Sequence, residues 1–337
     1  MRRIRWGLIG CGDIAEKRVV AALKSAKDSE LVACTRRVAT SLKDFQERHQ
    51  IPKGYAHVSD LLRDPEIDAV YLATPVALHH QHALEAAMQG KHVLCGKPMA
   101  LDSEKCRQMI QVCRQRGVKL GVCYYRRFYP VCSKIQELLR DKRLGEIVLV
   151  RTTLVEHTQT GATASAAWRF DVSQSGGGLL MDMASHRLDL MCFLFGKPIS
   201  VSALTHTRLL PIDVEDTGSL LIEFQSGIHA LLFASHIAAH PRDDFEILGS
   251  AGQLRVCPFN DGELVVTTNV TQMFRLPKPD NVHLPLVEDF NDSIRRDREP
   301  MVSGREGLKA SCLLEAAYLS AREKRVISFP ALWAVEC

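Results

Sequence analysis

The sequence predicts an α/β fold: an N-terminal Rossmann-type, doubly wound parallel sheet, then a C-terminal α+β domain with a large, open, mostly antiparallel sheet. Three observations carry this expectation. An apolar strand at 5–9 runs straight into Gly10-x-Gly12-x-x-Ala15 and a helical stretch. Short apolar runs alternate with amphipathic helical patterns through the first third of the chain, as in a parallel sheet covered on both faces. Beyond about Tyr124 the alternation stops, and successive strands with Gly or Asp turns take over. The 337 residues allow two domains with sizeable cores, and the change of pattern sets them at 1–123, binding a dinucleotide, and 124–337, binding substrate.

In order, the first domain is expected to hold strands at 5–9, 31–34, 69–73, 92–95 and 119–122, with helices at 14–25, 42–50, 80–89 and 103–116. The second opens with a helix at 130–141 and a strand at 146–155. A polar, small-residue loop and a helix at 181–195 follow. Strands are expected at 200–209, 217–224, 229–236, 243–248 and 253–256, and a helix at 304–324 closes the chain. One broad sheet with helices on one face leaves the other face bare, so a homodimer or homotetramer through the C-terminal sheet is expected.

Composition narrows the function classes. The chain is 46% hydrophobic and 24% charged, with net charge +4 from 43 basic and 39 acidic residues. The charges are interspersed, without a basic block, so nucleic acid is not expected as a partner. No apolar run is long enough to span a membrane. Met-Arg-Arg leads directly into the first strand with no apolar signal core, which together with an odd count of eleven cysteines and no Cys-x-x-Cys pair points to a cytoplasmic protein with reduced thiols. Cys11, Cys34, Cys123 and Cys192 lie in apolar runs and are read as core residues, and no metal is expected.

The glycine motif has a physical reading. Gly10 permits the tight turn, Gly12 lets the backbone approach a pyrophosphate, and Ala15 allows close packing of helix on strand. The free N–H groups of the helix start, at Asp13 and Ile14, and the helix dipole favour phosphate charge. The end of the second strand reads Thr35-Arg36-Arg37, with no carboxylate until Asp44. Two guanidinium groups and a hydroxyl suit a 2′-phosphate, so NADP(H) is favoured over NAD(H). Thr74-Pro75 offers a stiff backbone wall beside the cofactor. His79 is read as a helix cap, a ribose contact or a structural residue.

Cys95-Gly96-Lys97-Pro98 places a lysine at a strand end in the cofactor crevice, where it is a candidate proton donor or electrostatic stabiliser. In the second domain Trp168-Arg169 precedes Gly176-Gly177-Gly178 and a helix carrying Asp182 and His186. Four residues apart, these two share a helical face, with His186 a candidate acid or base and Asp182 its orienting group or a substrate contact. Tyr125, Arg126, Trp168 and Arg169 are the further candidate substrate contacts.

Together these segments resemble the glucose-fructose oxidoreductase and inositol dehydrogenase family (Gfo/Idh/MocA) over nearly the whole chain. The resemblance rests on Gly10-x-Gly12-x-x-Ala15, Thr74-Pro75 with His79, Lys97-Pro98, Tyr125-Arg126-Arg127-Phe128-x-Pro130, Trp168-Arg169, Gly176-Gly177-Gly178, Asp182 and His186. It implies a nicotinamide-dependent oxidoreductase acting on sugars, polyols or related hydroxylated carbonyls, with Lys97, Asp182 and His186 at the catalytic positions. Two departures stand out. Gly96 stands where the family usually has Glu, which removes an anionic group beside the nicotinamide ribose, and Val76 stands where Asn is frequent. The expected function is therefore NADP(H)-dependent hydride transfer to or from a carbohydrate-like substrate. A redox-neutral, NAD-dependent glycosidase and a non-catalytic NADP(H) sensor are the alternatives on the same fold.

Overall fold

The computed structural model describes residues 2–157 and 167–329. Two compact units emerge from the chain contacts: Met1–Tyr125 with Asn281–Leu308, and Arg126–Asp280 with Lys309–Cys337.

The first unit is built on β1 (Ile4–Ile9), β2 (Ser29–Thr35), β3 (Lys53–Tyr55), β4 (Ala69–Leu72), β5 (His92–Cys95) and β6 (Leu120–Val122). All pairs are parallel, in the order β3-β2-β1-β4-β5-β6. The order reverses at β1, and the carboxyl ends of the strands flanking that reversal are where ligands of such sheets bind. β1, β4 and β5 are buried along nearly their whole length, as a sheet covered on two faces requires. β3 and the short helix Val58–Arg63 are additions to the expected elements. Lys-Gly-Tyr has too few apolar residues to announce a strand.

The single cut at 123/124 needs correction for residues 281–308. The helix Leu284–Arg295, also absent from the expected elements, puts Phe290 against Gly121 and Trp6, with the two aromatic rings 5.6 Å apart. The indole Nε1 of Trp6 donates to Asn291 Oδ1 at 3.2 Å. Val122 N–H donates to Val302 carbonyl at 2.9 Å, and Gly304 and Gly307 lie tight against Leu120 and Val122. This late segment covers an apolar strand edge that local periodicity does not show to be exposed.

The second unit carries β7 (Ile147–Val155), β8 (Pro198–His206), β9 (Thr217–Phe224), β10 (His229–Ser235), β11 (Arg242–Gly249), β12 (Gly252–Val256), β13 (Glu263–Thr267), β14 (Thr271–Arg275) and β15 (Ile327–Ser328). Their order is β14-β13-β12-β11-β7-β10-β9-β8-β15, antiparallel except for the β7–β10 pair. β13, β14 and β15 extend the expected sheet at its two edges. One face packs on helices: Phe195 of the helix Ser185–Phe195 meets Phe224, and Ser320 of the helix Gly304–Glu323 accepts from Ala203 N–H. On the other face a cross-strand row runs Leu221, Leu231, Arg151, Glu246, Arg255. Leu221 and Leu231 are exposed there, and Arg151 pairs with Glu246 at 2.7 Å.

Candidate active site

In the first unit the site begins where β1 turns into its helix. Gly10 has φ +97°, and a Cβ there would stand 2.9 Å from the Ala73 backbone. Only glycine adopts this turn without strain. Its N–H and the Cys11 thiol both donate to the Thr35 carbonyl, which anchors the turn on β2. A Cβ on Gly12 would meet nothing within 4 Å. Asp13 is exposed, Ile14 is half-buried and Ala15 is fully buried against the sheet. The helix opens with a single π turn, Ala15–Val19, before the α-helical run Val20–Ser25.

Thr35 was expected to offer its hydroxyl. It is buried, and the contacts just described run through its carbonyl. Arg36 is half-buried and Arg37 exposed. Neither guanidinium has a hydrogen bond or ion pair among the described residues, whereas Arg5, Arg48 and Arg298 are all paired with carboxylates.

Across from the glycine turn, Thr74 and Pro75 follow β4. The Thr74 hydroxyl oxygen is buried and has no partner among the described residues. A buried, unsatisfied hydroxyl at the ligand end of a sheet calls for a ligand atom. Bare backbone at Gly12, an orphaned Thr74 hydroxyl and two unpaired arginines together fit a dinucleotide phosphate and ribose.

Of the three roles left open for His79, the structure favours the structural one over helix cap or ribose contact. The ring is 1% exposed, and its nitrogens lie 3.0 Å from the Pro98 carbonyl and 2.9 Å from the Thr74 carbonyl. Its helix, His79–Met88, has no side-chain cap. His79 is a strut between the Thr74-Pro75 turn and the Lys97-Pro98 turn. Burial pushes its pKa down to about 4, so at neutral pH the ring has one N–H for two carbonyls. Gly96 fits this strut. A Cβ at 96 would stand 2.9 Å from the Leu72 carbonyl oxygen and 3.0 Å from the His79 ring.

Lys97 is half-buried beside Gly96. Its charge and that of Arg18 add to burial in pushing the His283 pKa down to about 3. His283, only 2% exposed, has Nδ1 3.4 Å from the Tyr71 hydroxyl and its ring 4.9 Å from that of Tyr125. Tyr125 in turn takes a hydrogen bond from Arg18 at 3.3 Å. Arg18, Tyr71 and His283 were not among the expected site residues. Tyr71 and His283 are 212 positions apart, and no local pattern signals such a meeting.

In the second unit, Arg169 stacks on Trp168, with the guanidinium carbon 4.9 Å from the ring centre, and its Nε stands 3.5 Å from Asp182 Oδ2. Trp168, Arg169 and Asp182 are not fully buried, while His186 is 4% exposed. Asp182 lies in a π turn, Leu180–Ala184, and His186 in the α-helix that follows, so the simple four-residue helical repeat expected for the pair is loosened by one residue. Arg126 is half-buried, with Nε donating to Asn260 Oδ1 at 3.3 Å. Much of the polar loop before Trp168 lies outside the described residues.

The three glycines divide their work. Gly176 has φ +80° and makes the turn. Gly177 and Gly178 are small for another reason: their Cβ atoms would fall 2.1 Å from the Tyr318 hydroxyl and 2.2 Å from the Glu215 carbonyl oxygen. The Glu215 carboxylate accepts from Gly178 N–H at 2.8 Å, Leu180 N–H at 2.9 Å and the Tyr318 hydroxyl at 2.8 Å. It caps the helix that carries Asp182 and His186. Elsewhere in this unit, Arg127 and Asp189 form a two-point ion pair at 3.0 and 2.7 Å, each side chain 1% exposed. Arg187 pairs with Asp243 and lies over the Phe259 ring at 4.0 Å.

Known proteins match both units. Residues 4–124 match the oxidoreductase family with an NAD-binding Rossmann fold, and residues 132–255 match the GFO/IDH/MocA C-terminal domain. The chain belongs to the Gfo/Idh/MocA oxidoreductase family. As a member it binds a nicotinamide dinucleotide through its Rossmann unit. Oxidoreductase P35 of Formosa agariphila is 31% identical over 290 residues, covering 85% of this chain and 89% of that protein. The 1,5-anhydro-D-fructose reductase of Ensifer adhaerens is 29% identical over 310 residues, covering 90% and 92%. Among solved structures, the WlbA dehydrogenase of Bordetella pertussis, in complex with NADH and UDP-GlcNAcA, superposes with a TM-score of 0.87 at 28% identity, covering 98% of this chain and 99% of that one. No helix among the described residues is long and apolar enough to cross a membrane, and they contain no metal-binding cluster.

Proposed function

We propose that this family member is an NADP(H)-dependent oxidoreductase acting on a sugar, polyol or related hydroxylated substrate, in a cytoplasmic homodimer or homotetramer formed through the second sheet. The observation that carries the cofactor choice is the pair of arginines after β2. The guanidinium groups of Arg36 and Arg37 have no partner among the described residues, and no carboxylate lies between the end of β2 and Asp44 to take the ribose hydroxyls of NAD. The carbohydrate class draws support from the names of the relatives, which include an anhydrofructose reductase and a dehydrogenase bound to a sugar nucleotide. The exposed Leu221 and Leu231 support the sheet-mediated assembly.

In this reading Gly10 and Gly12, with the helix-start N–H groups at Asp13 and Ile14, hold the pyrophosphate. Thr74, Pro75 and Gly96 form the backbone wall, and the Thr74 hydroxyl finds its partner on the dinucleotide. Bound there, the nicotinamide supplies or accepts a hydride. Lys97 or His186 is the acid or base for the substrate oxygen, Asp182 orients the substrate or His186, and Trp168, Arg169, Tyr125 and Arg126 contact the substrate.

The test follows nicotinamide absorbance with NADP or NAD against a panel of sugars, polyols and dihydrodiols in both directions. Turnover faster with NADP is expected. Arg36→Ala should weaken NADPH binding roughly tenfold or more, in line with a lost charge-assisted hydrogen bond, and leave NADH binding unchanged. Lys97→Met should abolish turnover with little change in dinucleotide affinity. Equal loss of both dinucleotides in the Arg36 variant would remove the NADP assignment. Tight NADPH binding with no turnover on any substrate would favour the sensor reading, with Gly96 as the disabling change.

A further inference from the structure

Asn260 lies outside every expected site, in the short turn Phe259–Asp261 between β12 and β13. Its side-chain Oδ1 accepts from Arg126 Nε at 3.3 Å, across 134 positions of chain. The backbone around it is pinned. Its N–H donates to Asp243 Oδ2 at 3.1 Å, and its carbonyl accepts from Lys278 Nζ at 3.2 Å. The neighbouring Phe259 ring is fully buried, with its centre 6.4 Å from that of Tyr129 and 5.6 Å from that of Phe245. The other oxygen of Asp243 takes Nη2 of Arg187, the residue after His186 in the helix Ser185–Phe195. We propose that Asn260 is a positioning residue that aims the Arg126 guanidinium at the substrate, anchored through Asp243 on the helix that carries His186.

Arg126 is held at its other end as well. Its carbonyl accepts from Tyr129 N–H at 3.1 Å and from the Cys132 thiol at 2.9 Å. With the main chain fixed, the torsions of the long side chain are what Asn260 constrains. Ordering such a side chain on binding costs affinity, and the hydrogen bond to Asn260 orders it before the substrate arrives. A guanidinium carries donors and no acceptor, so the substrate group it meets is an acceptor oxygen of a hydroxyl, carbonyl or carboxylate.

Arg187 shows why the anchor is firm. It is fully buried with its guanidinium carbon 4.0 Å from the Phe259 ring centre, and its Nε and Nη1 have no partner among the described residues. Burial pushes its pKa down, Asp243 opposes that, and the charge of Arg126 adds to the fall, which places Arg126 beside the helical turn of His186. Unmatched buried donors are costly and persist where function needs the group. What Arg187 supplies is a fixed charge for Asp243, and Asp243 fixes the Asn260 N–H. The acid–base candidate and the guanidinium are thereby registered against one helix.

The inference rests on the reading of Arg126 as a substrate contact. The experiment measures KM and kcat for the sugar, polyol or dihydrodiol of the panel with the highest kcat/KM, in the full chain and in Asn260→Ala, Arg126→Ala and the double variant. It also maps phenylglyoxal labelling of Arg126 by peptide mass spectrometry, with the exposed Arg37 of the first unit as internal control. Asn260→Ala should raise KM about fivefold or more, the loss of one hydrogen bond to a charged group, with a smaller change in kcat. NADPH affinity and melting temperature should stay as in the wild type, and Arg126 should be labelled several-fold faster while Arg37 is not. Asn260→Asp, which keeps the acceptor, should recover most of the loss. In the Arg126→Ala background, Asn260→Ala should add nothing. A wild-type KM in Asn260→Ala, or a further rise in the double variant, overturns the proposal. A wild-type KM in Arg126→Ala overturns the substrate-contact reading and the proposal with it. Absence of turnover with every panel member overturns the function reading, and the labelling rates still decide whether Asn260 holds Arg126.

Discussion

The two glycine-rich turns of this protein look alike in sequence and differ in what their small residues make room for. At Gly12 the space is open, with no atom within 4 Å of the point where a side-chain methyl would stand. At Gly177 and Gly178 the space is taken by Tyr318 and Glu215. Each turn leads into a helix that begins with a π turn, and each helix start presents backbone N–H groups seeking an anion. In the proposed reading the first leaves that role to the dinucleotide, and the second fills it with the protein's own Glu215. A helix N-terminus is thus a binding device or a structural joint according to whether the chain supplies the anion.

The same contrast runs through the charged groups. Arg36 and Arg37 of the first unit are unpaired among the described residues, while Arg127 and Arg187 of the second are buried in ion pairs. Loss of a paired arginine in the second unit should therefore appear as stability, and loss of Arg36 or Arg37 in the first as affinity. The largest expected effect is Arg127→Ala. It strands the Asp189 carboxylate in the core and should cost about 3–5 kcal/mol in urea unfolding. A wild-type midpoint would break the contrast.

Next comes the matched glycine pair. Gly178→Ala puts a methyl 2.2 Å from the Glu215 carbonyl and should cost roughly 1–3 kcal/mol or more. Gly12→Ala should leave the melting temperature within a degree or so and weaken dinucleotide binding. If Gly12→Ala melted early with unchanged affinity, the first turn would be a structural joint like the second.

An effect of comparable size concerns pH. His79 and His283 have folded-state pKa values of about 4 and about 3, below the ordinary 6.5. The unfolded chain therefore binds more protons in this range. Their contribution is fully present above pH 6.5 and is lost as pH falls through 6.5 toward 4 and 3, by on the order of a few kcal/mol. His283→Asn should flatten this acid limb of the stability curve, and an unchanged slope would show that His283 is not held neutral. The smallest expected effect is Gly96→Ala, whose methyl presses on the Leu72 carbonyl and the His79 ring at 2.9 and 3.0 Å. A loss of about 1 kcal/mol is expected, read by thermal melting.

Much of the fold was legible because its signals are local. The alternation of apolar runs and helices places β1, β2, β4, β5 and β6, and β9 falls on 217–224 as expected. What escaped was short or distant. β3 has three residues and little apolar character. The helix Leu284–Arg295 is held in place by covering Trp6 and Gly121, residues far behind it in sequence. His79 was legible as a residue of interest with its role left open among cap, ribose contact and structural residue, since a sequence does not say which carbonyls will close around an imidazole. Glu215 left no signal, because its partner Tyr318 lies 103 positions away.

By itself the sequence determined the strand–glycine–helix unit, the missing acid after β2, the Lys97-Pro98 turn and the helix of Asp182 and His186. These are properties of neighbouring residues: φ tolerance, periodicity and charge. Tertiary structure alone decided which glycine faces open space and which a carboxylate, which arginines are paired, and that residues 281–308 return to the first unit. The physical reason is that hydrogen bonds, ion pairs and close packing are set by distances in space, and chain separation does not encode those distances.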